Sequence, residues 1–204
     1  MSVLRILRLG LWGLVAMALV GLGGLGLGIW RLPAPETNRT VSLASEIGGP
    51  FRLTSHHGDV VSDADLRGKP YLLFFGFTHC PDVCPTTLAE LSRRLEQLGS
   101  DADRVRTLFV TVDPERDSQE ALASYMTSFD PRILALRGDQ AQTDEVVRSF
   151  KAAARKVPTK GGGYTMDHNA IVYTMNADGT FVGSLDSHEA EEIQLQKLRR
   201  LIAD

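Results

Sequence analysis

The two cysteines of the chain, Cys80 and Cys84, lie in the stretch FTHCPDVCP with three residues between them. At this spacing two side chains can face the same way around one helical turn. A pair of thiolates can oxidise to a disulfide or bind a soft metal ion. The motif follows a predicted strand and leads into a predicted helix. Because a helix N-terminus favours anions, we expect the pKa of both thiols to be lowered.

Two thiolates alone rarely make a good metal site, so a third ligand must come from elsewhere in the chain. Five histidines are candidates: His56, His57, His79, His168 and His188. We expect the adjacent pair His56 and His57 to be solvated in a turn, His79 to point away from its neighbour Cys80, and His188 to be exposed. His168 differs, because it lies near the end of a predicted loop, the polar and glycine-rich KVPTKGGGYTMDHNA, just before a predicted strand. A lone histidine at a strand start is more often structural, so the residues alone leave its role open.

The N-terminal part of the chain has the pattern of a membrane anchor. Residues 9–30 carry no charged side chain and are flanked by Arg5, Arg8 and Arg31. A helix of that length would span roughly 33 Å, about the thickness of a hydrocarbon core. We therefore predict a transmembrane helix over 9–30 after a cytoplasmic segment, 1–8. A cleaved signal peptide is the alternative, but its apolar region is usually shorter.

The remainder divides into a linker, 31–48, rich in proline and polar residues, and a globular domain, 49–204. Arg5 and Arg8 favour an N-terminus in the cytoplasm and a domain on the other side of the membrane, whereas Arg31 opposes this orientation. Residues 33–204 contain all 25 acidic residues but only 19 of the 22 basic ones, so this soluble part carries a net charge near −6. That charge excludes nucleic acid as an expected partner and is compatible with docking to a basic protein surface.

The pattern of apolar residues predicts an α/β domain with a mixed central sheet, for which a thioredoxin-like fold is the natural candidate. The predicted order is two short strands around 57–59, a buried strand 70–77, a helix ending at Gly99, a strand 105–113, a helix 118–129, a strand 133–136, a helix 143–155, a hairpin of 171–175 and 180–185, and a helix 188–202. Open α/β sheets place their chemistry at the carboxyl ends of the strands. The cysteine motif follows such an end.

The stretch VDPERD, residues 112–117, ends the second parallel strand at the same predicted edge. The next helix is expected to be capped by Asp117 or Ser118, and we favour a capping role for Asp113 and Asp117 in this stretch; a loop that shapes a pocket or docks a partner is the alternative. Four aromatic residues of the preceding strand are expected in the core rather than at a cofactor site: Tyr71, Phe74, Phe75 and Phe77.

Three stretches closely resemble the SCO/SenC family of cytochrome c oxidase assembly proteins: GPFRLTSHHGDVVSDADLRGKPYLLFFGFTHCPDVCPTTLAEL, LFVTVDPERDSQEALASYMTSFDPRI and YTMDHNAIVYTMNADG. They cover essentially all of residues 49–185. The resemblance implies a thioredoxin-like fold on a single membrane anchor, with the domain facing the periplasm or the mitochondrial intermembrane space. It also implies one copper ion, Cu(I) or Cu(II), bound by Cys80, Cys84 and His168. Asn169 departs from the serine or threonine of many members.

Two thiolates and one imidazole suit three-coordinate Cu(I), whereas Cu(II) would need a fourth, hard ligand. Asp167 is expected to be a solvated loop carboxylate, with a hydrogen bond to the ring of His168 as the alternative. The resemblance implies a metallochaperone rather than an enzyme, which matures the CuA site of cytochrome c oxidase subunit II. Other expected partners are periplasmic copper chaperones and thiol reductants. The alternative function is a thiol–disulfide oxidoreductase with Cys80 and Cys84 as its redox-active pair.

Overall fold

The computed structural model describes residues 12–19 and 47–203 of the chain. The chain divides into two units, Met1–Val41 and Ser42–Asp204. In the first unit, residues 12–19 are helical and exposed. Most of the predicted anchor, 9–30, and of the predicted linker, 31–48, lies outside the described residues. None of the helices in the described ranges combines the length and apolar character that a membrane crossing requires.

The second unit alternates strands and helices from residue 52 to residue 203. Its strands are β1 (Arg52–Ser55), β2 (Val60–Ser62), β3 (Tyr71–Gly76), β4 (Arg106–Thr111), β5 (Ile133–Arg137), β6 (Ala154–Pro158), β7 (Tyr164–His168), β8 (Val172–Met175) and β9 (Phe181–Leu185). Its α-helices are α1 (Asp63–Leu66), α2 (Val83–Leu98), α3 (Gln119–Met126), α4 (Gln140–Ser149) and α5 (Glu191–Ala203). A 3₁₀-helix, Gly99–Arg104, follows α2.

Seven of these strands form one sheet in the order β2-β1-β5-β4-β3-β8-β9. The central strands β3, β4 and β5 are parallel, and the pairs that flank them are antiparallel. All six residues of β3 are buried, as expected for a strand covered on both faces. The predicted α/β fold with a mixed central sheet is therefore confirmed.

The sheet register brings distant segments to one edge. Gly76, the last residue of β3, is paired with Thr111, the last residue of the parallel strand β4. The cysteine motif and the 112–117 loop therefore leave the sheet side by side. Strand β8 runs antiparallel to β3 and starts near its carboxyl end, with Val172 opposite Phe74. The residues just before β8, including His168, consequently arrive at the same edge.

Three predicted segments differ in the structure. The helix predicted over 143–155 is α4, which begins earlier because Asp139 and Gln142 form a capping box. It ends before Lys151, which has a left-handed φ of 52°. The following segment, predicted as a loop, contains β6 and β7, which pair as an antiparallel hairpin. The last helix, predicted from residue 188, begins at Glu191.

Candidate metal centre

Three side chains meet at this edge of the sheet: Cys80, Cys84 and His168, which we call the thiol–imidazole cluster. Their ligand atoms all lie within 4.8 Å of one another. Cys84 Sγ is 3.4 Å from His168 Nε2, although 84 residues separate the two positions. The backbone N–H of Cys84 donates to Cys80 Sγ over 3.3 Å. The fold thus brings together the three residues that the sequence singled out.

The two sulfur atoms have different environments. Helix α2 begins at Val83, so Cys84 lies in its first turn, and its side chain is fully buried against β3. Cys80 lies in the preceding turn and is only partly buried. Both cysteines are free thiols. Cys80 is therefore partly accessible to solvent, whereas Cys84 is enclosed by the core.

The expectation of a lowered thiol pKa is wrong for Cys84. Burial raises the pKa of the Cys84 thiol far above its ordinary value, and the backbone hydrogen bond at Phe77 opposes this shift only in part. Desolvation disfavours the thiolate more than the helix N-terminus stabilises it. Without a metal ion the Cys84 sulfur keeps its proton at neutral pH, so a bound metal must displace that proton.

His168 is the last residue of β7, and its two ring nitrogens have different partners. Nδ1 lies 2.9 Å from the carbonyl oxygen of Asn169, to which it donates in the neutral tautomer assigned from this contact. Nε2 then presents its lone pair towards Cys84. Burial lowers the pKa of His168, which favours the neutral imidazole that binds metal ions. Asn169 is itself fixed, because its side-chain oxygen accepts from the backbone N–H of Ala153.

Asp167 does not orient the imidazole. Its carboxylate pairs with Arg155 at 3.0 Å, and both side chains are largely exposed. The solvated carboxylate expected from the sequence is therefore what the structure contains, and the alternative of a bond to His168 is wrong. The carbonyl oxygen of Asn169 accepts the hydrogen bond from the imidazole instead. Because this contact is made by the backbone, the residue type at position 169 could not predict it.

Two core aromatic residues line the imidazole. Phe74 and Phe77 are fully buried, as predicted for this strand. Their ring centroids lie 6.2 and 5.7 Å from that of His168, and both rings are steeply inclined to it. Edge-to-face packing of this kind restricts the orientation of the imidazole. These phenylalanines thus have a role beside the cluster that their strand pattern did not indicate.

The 112–117 loop does not have the capping role that we favoured. Ser118 caps α3, accepting from the backbone N–H of Ala121. Asp117 is instead fully buried, and its carboxylate accepts from the Thr78 N–H at 3.0 Å and from the hydroxyls of Thr78 and Thr111, both at 2.6 Å. A buried carboxylate needs such donors. The alternative, a loop that shapes the site, fits these contacts.

The other four histidines lie away from the cluster. His79 is exposed, with Nδ1 3.0 Å from the hydroxyl of Thr78, and so points away from the sulfur of its neighbour as expected. His57 and His188 are exposed, also as expected. His56 is less solvated than predicted, because its Nδ1 accepts from the backbone N–H of Ala135 at 3.1 Å.

The donor set of the cluster fits a soft metal ion. Two sulfurs and one imidazole nitrogen discriminate against hard cations such as Mg²⁺ and Ca²⁺. Structural zinc sites normally have four protein ligands. In the described part of the chain, the group of metal-binding side chains has three members. Three-coordinate Cu(I) matches both the number and the type of these donors.

Comparison with known proteins supports this interpretation. The family model SCO1/SenC matches residues 39–203. Human mitochondrial SCO2 homolog is 35% identical over 207 residues, 98% of this chain and 76% of that protein. Human mitochondrial SCO1 homolog is 37% identical over 139 residues, 67% of this chain but only 46% of that protein. The structure of Bradyrhizobium japonicum ScoI with copper bound is 49% identical, with a TM-score of 0.72 over 76% of this chain and 99% of that one.

The family match extends over most of the chain and includes every residue of the thiol–imidazole cluster. The relatives and the solved structure agree with it in sequence and in fold. The resemblance seen in the sequence motifs is therefore confirmed. The chain belongs to the SCO1/SenC family.

Proposed function

We propose that this protein is a membrane-anchored copper chaperone that matures the CuA site of cytochrome c oxidase subunit II. The observation that carries the proposal is the thiol–imidazole cluster, whose three donor atoms lie within 4.8 Å of one another in a chain of this family. The copper-bound structure of a relative with 49% identity supports copper as the cargo. Cys80, Cys84 and His168 are the proposed ligands.

The environments of the two sulfurs suit binding that can be reversed. Cys80 reaches solvent, so a thiolate or imidazole of an acceptor can approach the copper ion from that side. Cu(I) then changes ligands without changing its oxidation state. As the ion leaves, the buried Cys84 takes up a proton, and its raised pKa favours this protonated form. Release of copper is thereby coupled to proton uptake.

The proposed location follows from the sequence of the first unit. An anchor over 9–30 with a cytoplasmic N-terminus would place the domain in the periplasm, or in the equivalent mitochondrial intermembrane space. The two human relatives are named as mitochondrial proteins. An anchored domain would search for its acceptor in the plane of the membrane, and its negative charge would favour a basic docking surface.

A thiol–disulfide oxidoreductase is the second candidate. The observation that favours it is the close contact of two free thiols, one partly exposed, at the start of a helix. In that reaction Cys80 and Cys84 would form a disulfide, and the two electrons would reduce a disulfide of the partner to two thiols. This chemistry does not require His168.

A transfer assay separates the two functions. We expect reduced protein loaded with one equivalent of Cu(I) to lose its copper to a reduced, copper-free CuA domain, measured as copper in each protein after separation. As a control, the same CuA domain must take up Cu(I) from a small-molecule donor. If it does so and the protein nevertheless keeps its copper, delivery is contradicted. In the second arm, metal-free reduced protein is mixed with an oxidised CuA domain. New thiols on that domain, without transfer of copper in the first arm, would establish the oxidoreductase instead.

A further inference from the structure

The 112–117 loop contacts both of the segments that lead to the thiol–imidazole cluster, one before Cys80 and one before His168. At its end, the buried Asp117 binds the backbone and hydroxyl of Thr78, two residues before Cys80. At its start, the equally buried Asp113 accepts from the hydroxyl of Tyr164, the first residue of β7, at 2.9 Å. One short loop therefore connects the turn that carries the cysteines with the strand that ends in His168.

Arg116 adds a second set of contacts to the same strand. Its Nη1 donates to the carbonyl oxygen of Tyr164 at 3.0 Å, and its guanidinium carbon lies 3.9 Å from the centroid of the Tyr164 ring. Its Nε donates to the carboxylate of Asp113. The guanidinium is thus bound on one side by a buried carboxylate and on the other by the tyrosine. Only a planar group with several donors can make all of these contacts together.

The β6–β7 hairpin needs such contacts because it stands apart from the main sheet. Its two strands pair with each other and with no strand of the seven-stranded sheet. Every residue of both strands is exposed or half-buried. A two-stranded hairpin by itself is at best marginally stable in water. His168 lies at the open end of the hairpin, opposite Ala154, and Tyr164 lies beside the turn, opposite Pro158. The distance from His168 to the two sulfurs therefore depends on contacts that hold the whole hairpin against the rest of the domain.

We propose that Arg116 and Tyr164 are positioning residues, which fasten the β6–β7 hairpin to the buried Asp113 and so keep His168 Nε2 within reach of the metal ion. We call Asp113, Arg116 and Tyr164 the hairpin latch. The identity of the metal as copper rests on the proposed function. The fastening of the hairpin itself does not, so the two ideas can be tested separately.

The first test uses metal-free protein and therefore does not depend on copper. We expect Arg116→Gln to increase hydrogen–deuterium exchange of the β7 amides at least about tenfold, because local opening becomes easier. The matched control is Arg155→Gln, which removes a largely exposed pair with Asp167 on the same hairpin. Unchanged β7 exchange in Arg116→Gln, or equal increases in both variants, would overturn the latch.

The second test is a double-mutant cycle on Cu(I) affinity. We expect Arg116→Gln to lower the affinity about 10- to 100-fold, the range typical of residues that orient metal ligands. In a His168→Ala background the same change should have no further effect, because the latch acts through His168. An equal loss in both backgrounds would mean a general structural role and would overturn the proposal.

Tyr164→Phe is the second variant, for use if Arg116→Gln fails to fold. It removes only the hydroxyl that donates to Asp113 and leaves the ring beside the guanidinium. We expect a smaller loss of Cu(I) affinity, about threefold to tenfold, again absent in the His168→Ala background.

If His168→Ala weakens copper binding but neither latch variant does, the latch fails and the proposed function stands. If His168→Ala has no effect while β7 exchange responds to Arg116→Gln, the three-ligand copper site fails and the fastening of the hairpin stands.

Discussion

Replacing His168 by alanine is expected to lower the affinity for Cu(I) at least about 100-fold, more than the 10- to 100-fold typical of residues outside the ligand shell. The change removes the nitrogen donor that lies 3.4 Å from Cys84 Sγ and leaves two sulfurs. The fold should survive, because His168 is the terminal residue of a hairpin outside the main sheet. The measurement is competition with a Cu(I) chelator of known affinity, under reducing conditions.

His79→Ala is the matched control for this prediction. His79 is adjacent to Cys80 in the sequence, but its ring lies beside Thr78 and Asp117 and is exposed. Its removal should leave the Cu(I) affinity unchanged within about twofold to threefold. An unchanged affinity in His168→Ala would contradict the three-ligand site, whereas equal losses in both variants would mean that neither histidine acts as a specific ligand.

Gly76→Ala is expected to disturb both the fold and the metal centre. A Cβ at this position would lie 2.6 Å from Cε2 of Phe109 and 2.9 Å from Sγ of Cys84. Both neighbours are fully buried, so neither can move without disturbing the core. Overpacking of this kind costs about 1–3 kcal/mol of unfolding free energy. Because the displaced atom is a proposed ligand, we also expect the Cu(I) affinity to fall about tenfold or more.

Gly161→Ala controls for the loss of a glycine as such. A Cβ there would meet no atom within 4 Å, and its φ is not left-handed. Denaturant unfolding of the metal-free variants gives the stability change, and chelator competition gives the affinity. Wild-type stability and affinity in Gly76→Ala would show that the sulfur of Cys84 tolerates a shift, and would contradict the close packing described for the centre.

Much of the fold was predictable because its central strands are continuous apolar runs. Strand β3 and strand β4 lie where the apolar patterns place them, and the connection between them accounts for their parallel pairing. The β6–β7 hairpin was missed because its strands are polar and half-exposed, with glycines between them. Helix-forming alanines before it also favoured an extension of α4, and tertiary context outweighed that propensity.

The members of the thiol–imidazole cluster were named from the sequence, but their environment was not. Residue types and spacing singled out the two cysteines, and the family resemblance singled out His168. The pKa of Cys84 was expected to fall, since its place in the first turn of a helix was visible in the sequence. Its complete burial was not visible, and burial determines the direction of the shift.

The hairpin latch was not predictable for a similar reason. Asp113 and Asp117 follow a strand and precede a helix, where acidic residues commonly act as caps. Their burial, and their donors Tyr164 and Thr78, depend on segments that are distant in the sequence. The apolar pattern cannot indicate a buried carboxylate whose partners lie 51 or 39 residues away.

X-ray absorption at the copper K-edge tests the three-ligand site most directly. The sample is reduced full-length protein with one equivalent of Cu(I), beside the His168→Ala variant. The geometry of Cys80, Cys84 and His168 predicts two sulfur atoms and one nitrogen atom around copper in the wild type, with the nitrogen shell lost in the variant. A wild-type spectrum with sulfur ligands alone, identical to that of the variant, would contradict the account.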